Sequence, residues 1–473
     1  MTGRYLALDL GAESGRAILA QLDENRVELS ELHRFPNTPV QLPTGLYWDT
    51  LRLFHEICEG IRAAGKVAER LDGIAIDTWG VDFGLLGADG ALLENPRHYR
   101  DTRTQGVLDE MFKTVPRSEI FERTGIQFME INSLCQLYAA KRDSPWLLNV
   151  ASKLLFMPDL FNYFLTGAVV SERTVASTSQ FYDPVGKRFA DDILRKLDIS
   201  TGFFADLADP GTKLGPLLPQ VAAGCHSGGD AVVYTTGSHD TASAVVAVPA
   251  SGVDGWCYIS SGTWSLMGVE LDEPIINSAS LESNFTNEVG VGGTIRFLKN
   301  IPGLWVLQEC RRAWAREGHE YSYGELMERA ASAKMTDTIL DLDEFASPGD
   351  HPQRIRDYCR KTGQEVPQDA GSMSLVVLRS LAERYKQVLE RLETLTGKQI
   401  QVIHIVGGGS RNKLLNQLVA DVTGRRVLSG PAEATAAGNA LTQAMGAGRI
   451  RSLDELREVV RRSFEVEEFV PKS

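Results

Sequence analysis

Asp240 stands near the middle of the chain, inside Thr236-Gly237-Ser238-His239-Asp240-Thr241-Ala242-Ser243. An apolar, strand-like run (231–234) leads into it and a small-residue, helix-like run (242–247) leads away. An acid at such a junction has two readings. As an N-cap, its carboxylate satisfies free N–H groups in the first helical turn; as a general base, it takes a proton from a bound hydroxyl. On this stretch alone the cap is the commoner of the two. A second acid, Asp9, ends an apolar strand and opens the turn Gly11-Ala12-Glu13-Ser14-Gly15-Arg16. A turn of this kind is either a plain hairpin or a row of N–H groups for phosphate, with the acid in a Mg²⁺ hydration shell. Ser260-Ser261-Gly262-Thr263 has the same ambiguity with hydroxyls added. Two such loops facing each other can pinch a di- or triphosphate.

Gly407-Gly408-Gly409 follows a buried-strand pattern and precedes a helical one. Three glycines cost conformational entropy, so they imply a close approach to the backbone, and a nucleotide's sugar and base would be such a neighbour. Asn412, at the entrance of that helix, suits either an adenine edge or an N-cap. Two polar–aromatic clusters, Asp77 to Phe83 (with Trp79 and Asp82) and His98 to Arg103 (with Arg100 and Asp101), have the residue types of a sugar-binding cleft. Their plain reading is a buried Trp with surface ion pairs. Gly60 to Val67 imitates a phosphate-binding Walker loop, but Val67 replaces the Ser/Thr and the run lies inside a helical pattern, so it reads as structural.

The elements that must position these groups alternate between strand and helix. Strands are expected over 4–10, 16–21 and 27–32, a helix over 51–68 and a buried strand over 71–76. Helical patches follow, the last over 146–166. Residues 255–269 repeat the opening strand–turn–strand theme, which suggests a duplicated architecture. Helices over 304–316 and 375–395 come next, then strand 400–406, helix 413–423, strand 426–428 and helices 434–445 and 453–464. At 473 residues the chain exceeds one core. A net charge of −13 argues against nucleic acid or an anionic membrane as partner, without excluding phosphate held by backbone N–H groups. No apolar run approaches the roughly 18 residues of a membrane helix, and the first residues lack a signal peptide's pattern. Six scattered cysteines and eight dispersed histidines give neither a disulfide framework nor a metal site. A reduced, cytoplasmic protein with no metal of its own is expected. Cys58 and Cys225 are read as separate buried thiols, with a bridge between them the lesser alternative.

Taken in order, Asp9-Leu10-Gly11 with Ser14-Gly15-Arg16, Ser238 to Ser243, Ser261 to Ser265 and Gly407 to Gly409 resemble the motifs of FGGY-type carbohydrate kinases. That family belongs to the actin/Hsp70-like ATPase superfamily. Ile76 to Phe83, Tyr99-Arg100-Asp101, Gly125 to Phe128, Met157-Pro158-Asp159, Leu298 to Ile301 and Gly303-Leu304-Trp305 are similar to its rhamnulose-phosphorylating branch. The resemblance runs from Leu6 to about Phe469. It implies an α/β fold of two RNase H-like domains with a cleft between them and a hinge near 247–255. The first domain, 1–246, would bind sugar and carry the first phosphate loop; the second, 247–473, would bind ATP. Carried over by position, Asp240 is the general base. Gly80, His239, Thr241 and Asn300 contact the ketose, and Trp79, Arg100 and Asp101 join them. Ala12, Glu13, Ser14, Gly15, Arg16, Thr263, Gln308 and Gly408 contact the nucleotide, flanked by Gly409 and Asn412, with Mg²⁺ held by Asp9 through water. Many sugar kinases of the superfamily have Thr where Ala12 stands, so one phosphate-contacting hydroxyl is missing, and Glu13 is expected to point away from the phosphates. The implied activity is ATP-dependent phosphorylation of a ketose at O1, L-rhamnulose first and L-fuculose or another deoxyketose as the alternative. An actin-like ATP-binding regulator without transferase activity is the reading from another class. The expected partners are ketose and ATP, with the protein a monomer or homodimer.

Overall fold

In the computed structural model, which describes residues 2–225, 231–252, 255–334 and 336–472, the Gly11 turn folds strand Gly3–Leu10 back on Ser14–Leu22. Strand Val27–Pro36 continues the antiparallel meander, four residues longer than its pattern suggests. Gly73–Thr78 then joins Gly3–Leu10 in parallel, and Val232–Tyr234 joins Gly73–Thr78 in parallel. The six-stranded order is Lys213–Pro216, Val232–Tyr234, Gly73–Thr78, Gly3–Leu10, Ser14–Leu22, Val27–Pro36. Gly73–Thr78 is buried at every position, as a central strand covered on both faces must be. Helix Thr50–Val67 starts on the Asp49 cap and buries Leu53, Ile57, Ile61 and Ala64, the i, i+4, i+8, i+11 stripe, in the core with Leu6, Leu8 and Ile76.

The same strand order recurs later in the chain. Trp256–Ser261 and Trp264–Leu271 form the hairpin; Ile295–Pro302 flanks its second strand, and Val402–Val406 and Arg426–Ser429 extend the sheet in parallel from its first. Helix Lys413–Thr423 makes the crossover between those parallel strands. Thr286–Val289 lies beside Ile295–Pro302.

By contact, residues 1–251, 270–297 and 434–463 form one compact unit, and 252–269, 298–433 and 464–473 form the other. Two later segments, 270–297 and 434–463, therefore belong with the first unit. Helix Ala434–Gly446 packs on the helix Asp240–Val246 and on strand Gly3–Leu10. Val253 and Asp254, inside the expected hinge, lie outside the described residues.

Residues 146–166 are not one helical patch. They form helix Pro145–Val150, strand Lys153–Phe156 and helix Met157–Thr166. Leu154, Leu155 and Phe156 are fully buried and pair antiparallel with Phe83–Leu86. Pro158, which lacks an N–H, occupies the first turn of the new helix, where no donor is needed. The six cysteines are free thiols. Cys58 and Cys225, expected to lie apart, are hydrogen-bonded to each other where helix Thr50–Val67 meets helix Pro219–Cys225. Among the described residues no helix is long and apolar enough to cross a membrane.

Gly438 is where helix Ala434–Gly446 comes nearest to the helix that begins at Asp240. A Cβ at Gly438 would fall 1.8 Å from the carbonyl oxygen of Ser243 and 2.7 Å from its carbon, both backbone atoms. Gly438→Ala should therefore force the helices apart, at a cost of about 1–3 kcal/mol or more. Thermal unfolding measures it, and an unchanged Tm would contradict this packing.

Candidate active site

Three carboxylates of the first unit interact at the ends of its strands. Asp9 and Asp77 are register partners on parallel strands, each one residue from its strand's end. Arg16, opposite Asp9 on the hairpin, forms an ion pair with it. Asp77 is fully buried, and Asn439 Nδ2 donates to its Oδ2 at 2.5 Å. Burial, and next the Asp9 charge, push the Asp77 carboxyl well above the usual carboxylate range. Asn439 is itself fixed by Gln443, which donates to Asn439 Oδ1 at 2.7 Å and to Leu6 O at 3.1 Å.

Asp240 is the first residue of helix Asp240–Val246, and the N-cap position belongs to His239. The Asp240 carboxylate accepts from Thr241 Oγ1 at 3.1 Å and lies 3.4 Å from His239 Nε2. Its side chain keeps 30% of its surface open, so it is recessed yet reachable. Desolvation raises its pKa; the neighbouring His239 opposes that rise and the Asp9 charge adds to it. The loop before it is tied to the sheet by Thr78 N donating to Ser238 O at 2.9 Å. A Cβ at Gly237 would lie 2.8 Å from Ser243 N, so only glycine lets this loop fold onto the helix start. His239 is buried; its backbone N donates to Thr174 Oγ1 at 3.2 Å, and its Nδ1 lies 3.2 Å from Glu288 Oε2.

The two polar–aromatic clusters meet at Asp82. Trp48 Nε1 (2.6 Å), Trp79 Nε1 (3.0 Å), Gln136 Nε2 (2.7 Å) and Tyr99 N (3.2 Å) all donate to its carboxylate. Burial lifts Asp82 to about 7 against the pull of these four donors. Trp79 thus lies in an aromatic stack, 3.9 Å from Trp48 between ring centroids, with Trp48 in turn 4.1 Å from His98. Arg100 lies over the Tyr99 ring. Asp101 is spent on the backbone, accepting from Leu46 N at 2.6 Å and Arg103 N at 3.0 Å. Gly80 backs onto Thr178, where a Cβ would come within 3.0 Å, and Val81 beyond it has a left-handed φ of 67°.

The loop from Gly11 to Gly15, which carries Ala12, Glu13 and Ser14, is shaped by the protein itself. Gly11 N donates to Ser14 O at 2.9 Å, and Asn37 holds Glu13 O through its N and Gly11 O through its Nδ2, both at 2.9 Å. A Cβ at Gly15 would enter the Phe35 ring. Glu13 is exposed.

Thr263, Asn300, Gln308, Gly408, Gly409 and Asn412 belong to the second unit. Leu304 N and Trp305 N donate to Gly262 O and Thr263 O at 3.1 Å, docking helix Trp305–Arg316 on the loop. One turn on, Gln308 Nε2 donates to Thr263 Oγ1 at 3.2 Å, while its Oε1 is buried without a partner among the described residues. Asn300 is half-buried on strand Ile295–Pro302. The glycine triplet divides by function. Gly407 has φ 83°, and a Cβ on Gly409 would lie 2.1 Å from Ser261 Oγ and 2.9 Å from Ser261 O, so these two serve the neighbouring strand. Around Gly408 nothing lies within 4 Å of a Cβ. Asn412 Oδ1 accepts from Leu415 N at 3.0 Å and caps helix Lys413–Thr423.

Trp48, Asp82, Gln136, Glu288, Arg296 and Asn439 were not singled out as site residues from the sequence, although Asp82 was noted in its motif. Asn439 is the extreme case: it reaches Asp77 across most of the chain, and a lone Asn in a small-residue helix carries no local signal of that.

The FGGY family of carbohydrate kinases matches the chain twice, its N-terminal domain over residues 4–247 and its C-terminal domain over 257–447. The chain is 43% identical over 474 residues to the Rhamnulokinase of Bacteroides thetaiotaomicron, covering 100% of this chain and 96% of the relative. It is 39% identical over 475 residues to the Rhamnulokinase of Bacillus subtilis, covering 99% and 95%. Among solved structures, gluconate kinase from Lactobacillus acidophilus superposes with a TM-score of 0.81 at 14% identity, over 100% of this chain and 94% of that one. Plasmodium falciparum glycerol kinase with ADP does so with a TM-score of 0.79 at 15% identity, again over 100% and 94%. The recurring sheet order, the recessed Asp240 and two loops shaped independently of one another are thus features of a chain that belongs to the FGGY family of carbohydrate kinases.

Proposed function

We propose that the protein transfers the γ-phosphoryl group of ATP to O1 of L-rhamnulose, with Asp240 as general base. The observation that carries this reading is the state of Asp240: a recessed, partly open carboxylate one residue past the N-cap, beside an imidazole and a threonine hydroxyl. The curated relatives, matched over nearly their full length, supply the sugar.

In this mechanism Asp240 accepts the O1 proton as that oxygen attacks phosphorus in line. His239, Thr241, Gly80 and Asn300 bind the ketose, and the Asp82-centred aromatic stack, with Trp79, Arg100 and Asp101, fixes the wall that faces it. Ser14, Gly15 and Arg16 with Ala12 and Glu13 present the first loop's backbone to phosphate. Thr263, Gln308, Gly408 and Gly409 hold the rest of the nucleotide. Two observations fit such a ligand: the orphaned Gln308 Oε1 and the open space at Gly408. Asn412 acts there through the helix it caps. Mg²⁺ suits the donor set: the carboxylate of Asp9, near the end of its strand and the Gly11 loop, could hold through water an ion carried by phosphate. Bound there, it would offset charge on the transferring group.

Asp240→Asn should lower kcat by about 10²–10⁴ while leaving the KM for ketose nearly unchanged. Retention of a tenth of the activity would return Asp240 to a helix-start role. Because burial raises the Asp240 pKa, and the base must be ionised, kcat/KM should fall on acidification through a midpoint above the ordinary aspartate range. A midpoint within that range would contradict it. A ketose panel assayed by ADP release should give the highest kcat/KM with L-rhamnulose; preference for L-fuculose or another deoxyketose would reassign the sugar. Gly408→Val, placed where the protein leaves room, should raise the KM for ATP without changing that for ketose or the Tm, and an unchanged KM for ATP would remove Gly408 from the nucleotide site.

A further inference from the structure

A short segment, 172–178, meets the main chain of the Gly80 loop and of the loop that enters Asp240. Glu172 ends strand Val170–Glu172 and caps helix Arg173–Ala176, its carboxylate accepting from Thr174 N at 2.9 Å and Val175 N at 3.2 Å. A cap needs no more than that, and Ser, Thr, Asp or Asn is the usual choice. The longer glutamate reaches further: its Oε2 also accepts from Thr174 Oγ1 at 2.6 Å and from Ser238 N, 66 residues on, at 3.3 Å. Thr174 Oγ1, its proton given to Glu172, accepts from His239 N at 3.2 Å. The two main-chain N–H groups ahead of Asp240 therefore end on Glu172 and Thr174, both fully buried. One turn on, Thr178 Oγ1 donates to Val175 O at 2.8 Å and accepts from Val81 N at 3.0 Å, beside Gly80. The His239 ring is held from elsewhere, with Arg296 Nη2 3.2 Å from its Nδ1.

We propose that Glu172 and Thr174 are positioning residues for the general base: together they fix the main chain of Ser238 and His239, and so set where the Asp240 carboxylate stands against the ketose hydroxyl. This rests on the transferase reading above. Asp240 opens its helix, and its side-chain partners are its own neighbours, Thr241 and His239. Its placement is therefore inherited from the main chain that enters the helix. Donor and acceptor roles agree along the whole path. A hydroxyl has one proton and two lone pairs; Thr174 gives the proton to Glu172 and a lone pair to His239 N. An ionised carboxylate only accepts, and each group bonded to Glu172 here is a donor. Without the Thr174 hydroxyl the His239 N–H would be buried and unpaired, which is costly, so the loop would shift to find another acceptor. A base must stay within hydrogen-bond reach of the proton it takes, and such a shift moves it out of reach. Through Thr178 and Val81 the same segment also sets the height of Gly80, so base and sugar loop share one support.

The test uses the full-length protein. Thr174→Val keeps the shape and removes the hydroxyl, whereas Thr174→Ser keeps the hydroxyl. Thr174→Val should lower kcat by about tenfold, the scale of a slightly misplaced catalytic group, with the KM for ATP unchanged, and Thr174→Ser should restore most of the rate. The decisive readout is Thr174→Val combined with Asp240→Asn. If Thr174 acts through the base, its loss costs nothing further once the base is gone, a non-additivity that a merely structural role would not give. Parent-like kinetics in folded Thr174→Val overturn the proposal. So does a Thr174→Ser variant as slow as Thr174→Val, or an equal fall with and without Asp240→Asn. If Thr174→Val does not fold, Glu172→Gln decides, because its amide places a donor among donors. A comparable fall that vanishes beside Asp240→Asn supports the proposal, and parent-like turnover overturns it. If Asp240→Asn alone turns over like the parent, the transferase reading falls and takes this one with it. If Asp240→Asn is slow while Thr174→Val is silent, the Glu172 and Thr174 assignment falls alone.

Discussion

Crowding of negative charge is the constraint on which the first unit's site depends. Asp9, Asp77 and Asp240 act on one another electrostatically where water is scarce, and an uncompensated buried carboxylate is costly. The protein answers differently for each. Asp9 has a full counter-charge in Arg16. Asp77 has an amide donor in Asn439 and a raised pKa that favours its neutral form. Asp240 has an imidazole and a hydroxyl, and is left partly open. Of the three, only Asp240 is left open enough to meet a ligand.

Backbone proximity is the second constraint. Gly237, Gly409 and Gly438 each stand where a Cβ would collide with the backbone or side chain of an adjoining element. Gly237 and Gly438 both press on Ser243, one from the loop before the Asp240 helix and one from the helix packed against it. The start of the Asp240 helix is thus held by close contact with main chain on two sides. In the glycine triplet the same logic separates two purposes: Gly407 and Gly409 let the chain close onto Ser261, and Gly408 faces open space.

The aromatic wall shows how a polar residue organises apolar ones. Asp82 draws in two indole N–H groups, one amide and one main-chain N–H, so three other segments converge on one carboxylate beside its neighbour Trp79. In the sequence Asp82 looked like one acid among several in a possible sugar cleft, yet its oxygens are consumed in building that wall. Asp101, an expected sugar contact, is likewise engaged by backbone N–H groups.

What the sequence determined by itself was whatever is encoded within a few residues. The hairpin at Gly11, the helix Thr50–Val67 and the unit of strand, glycine triplet and helix near Val406 follow from periodicity, turn residues and caps, because those act locally. Ordered motifs also carried the family. The strand Lys153–Phe156 was missed because a short apolar run cannot choose between helix and strand until its partner, Phe83–Leu86, is in place. Segments 270–297 and 434–463 joining the first unit, Asn439 reaching Asp77, and Glu288 and Arg296 backing His239 were decided by tertiary structure alone. Each depends on a pairing between residues far apart in the chain, and the gain from burying a polar group with its partner exists only once the fold has brought the two together.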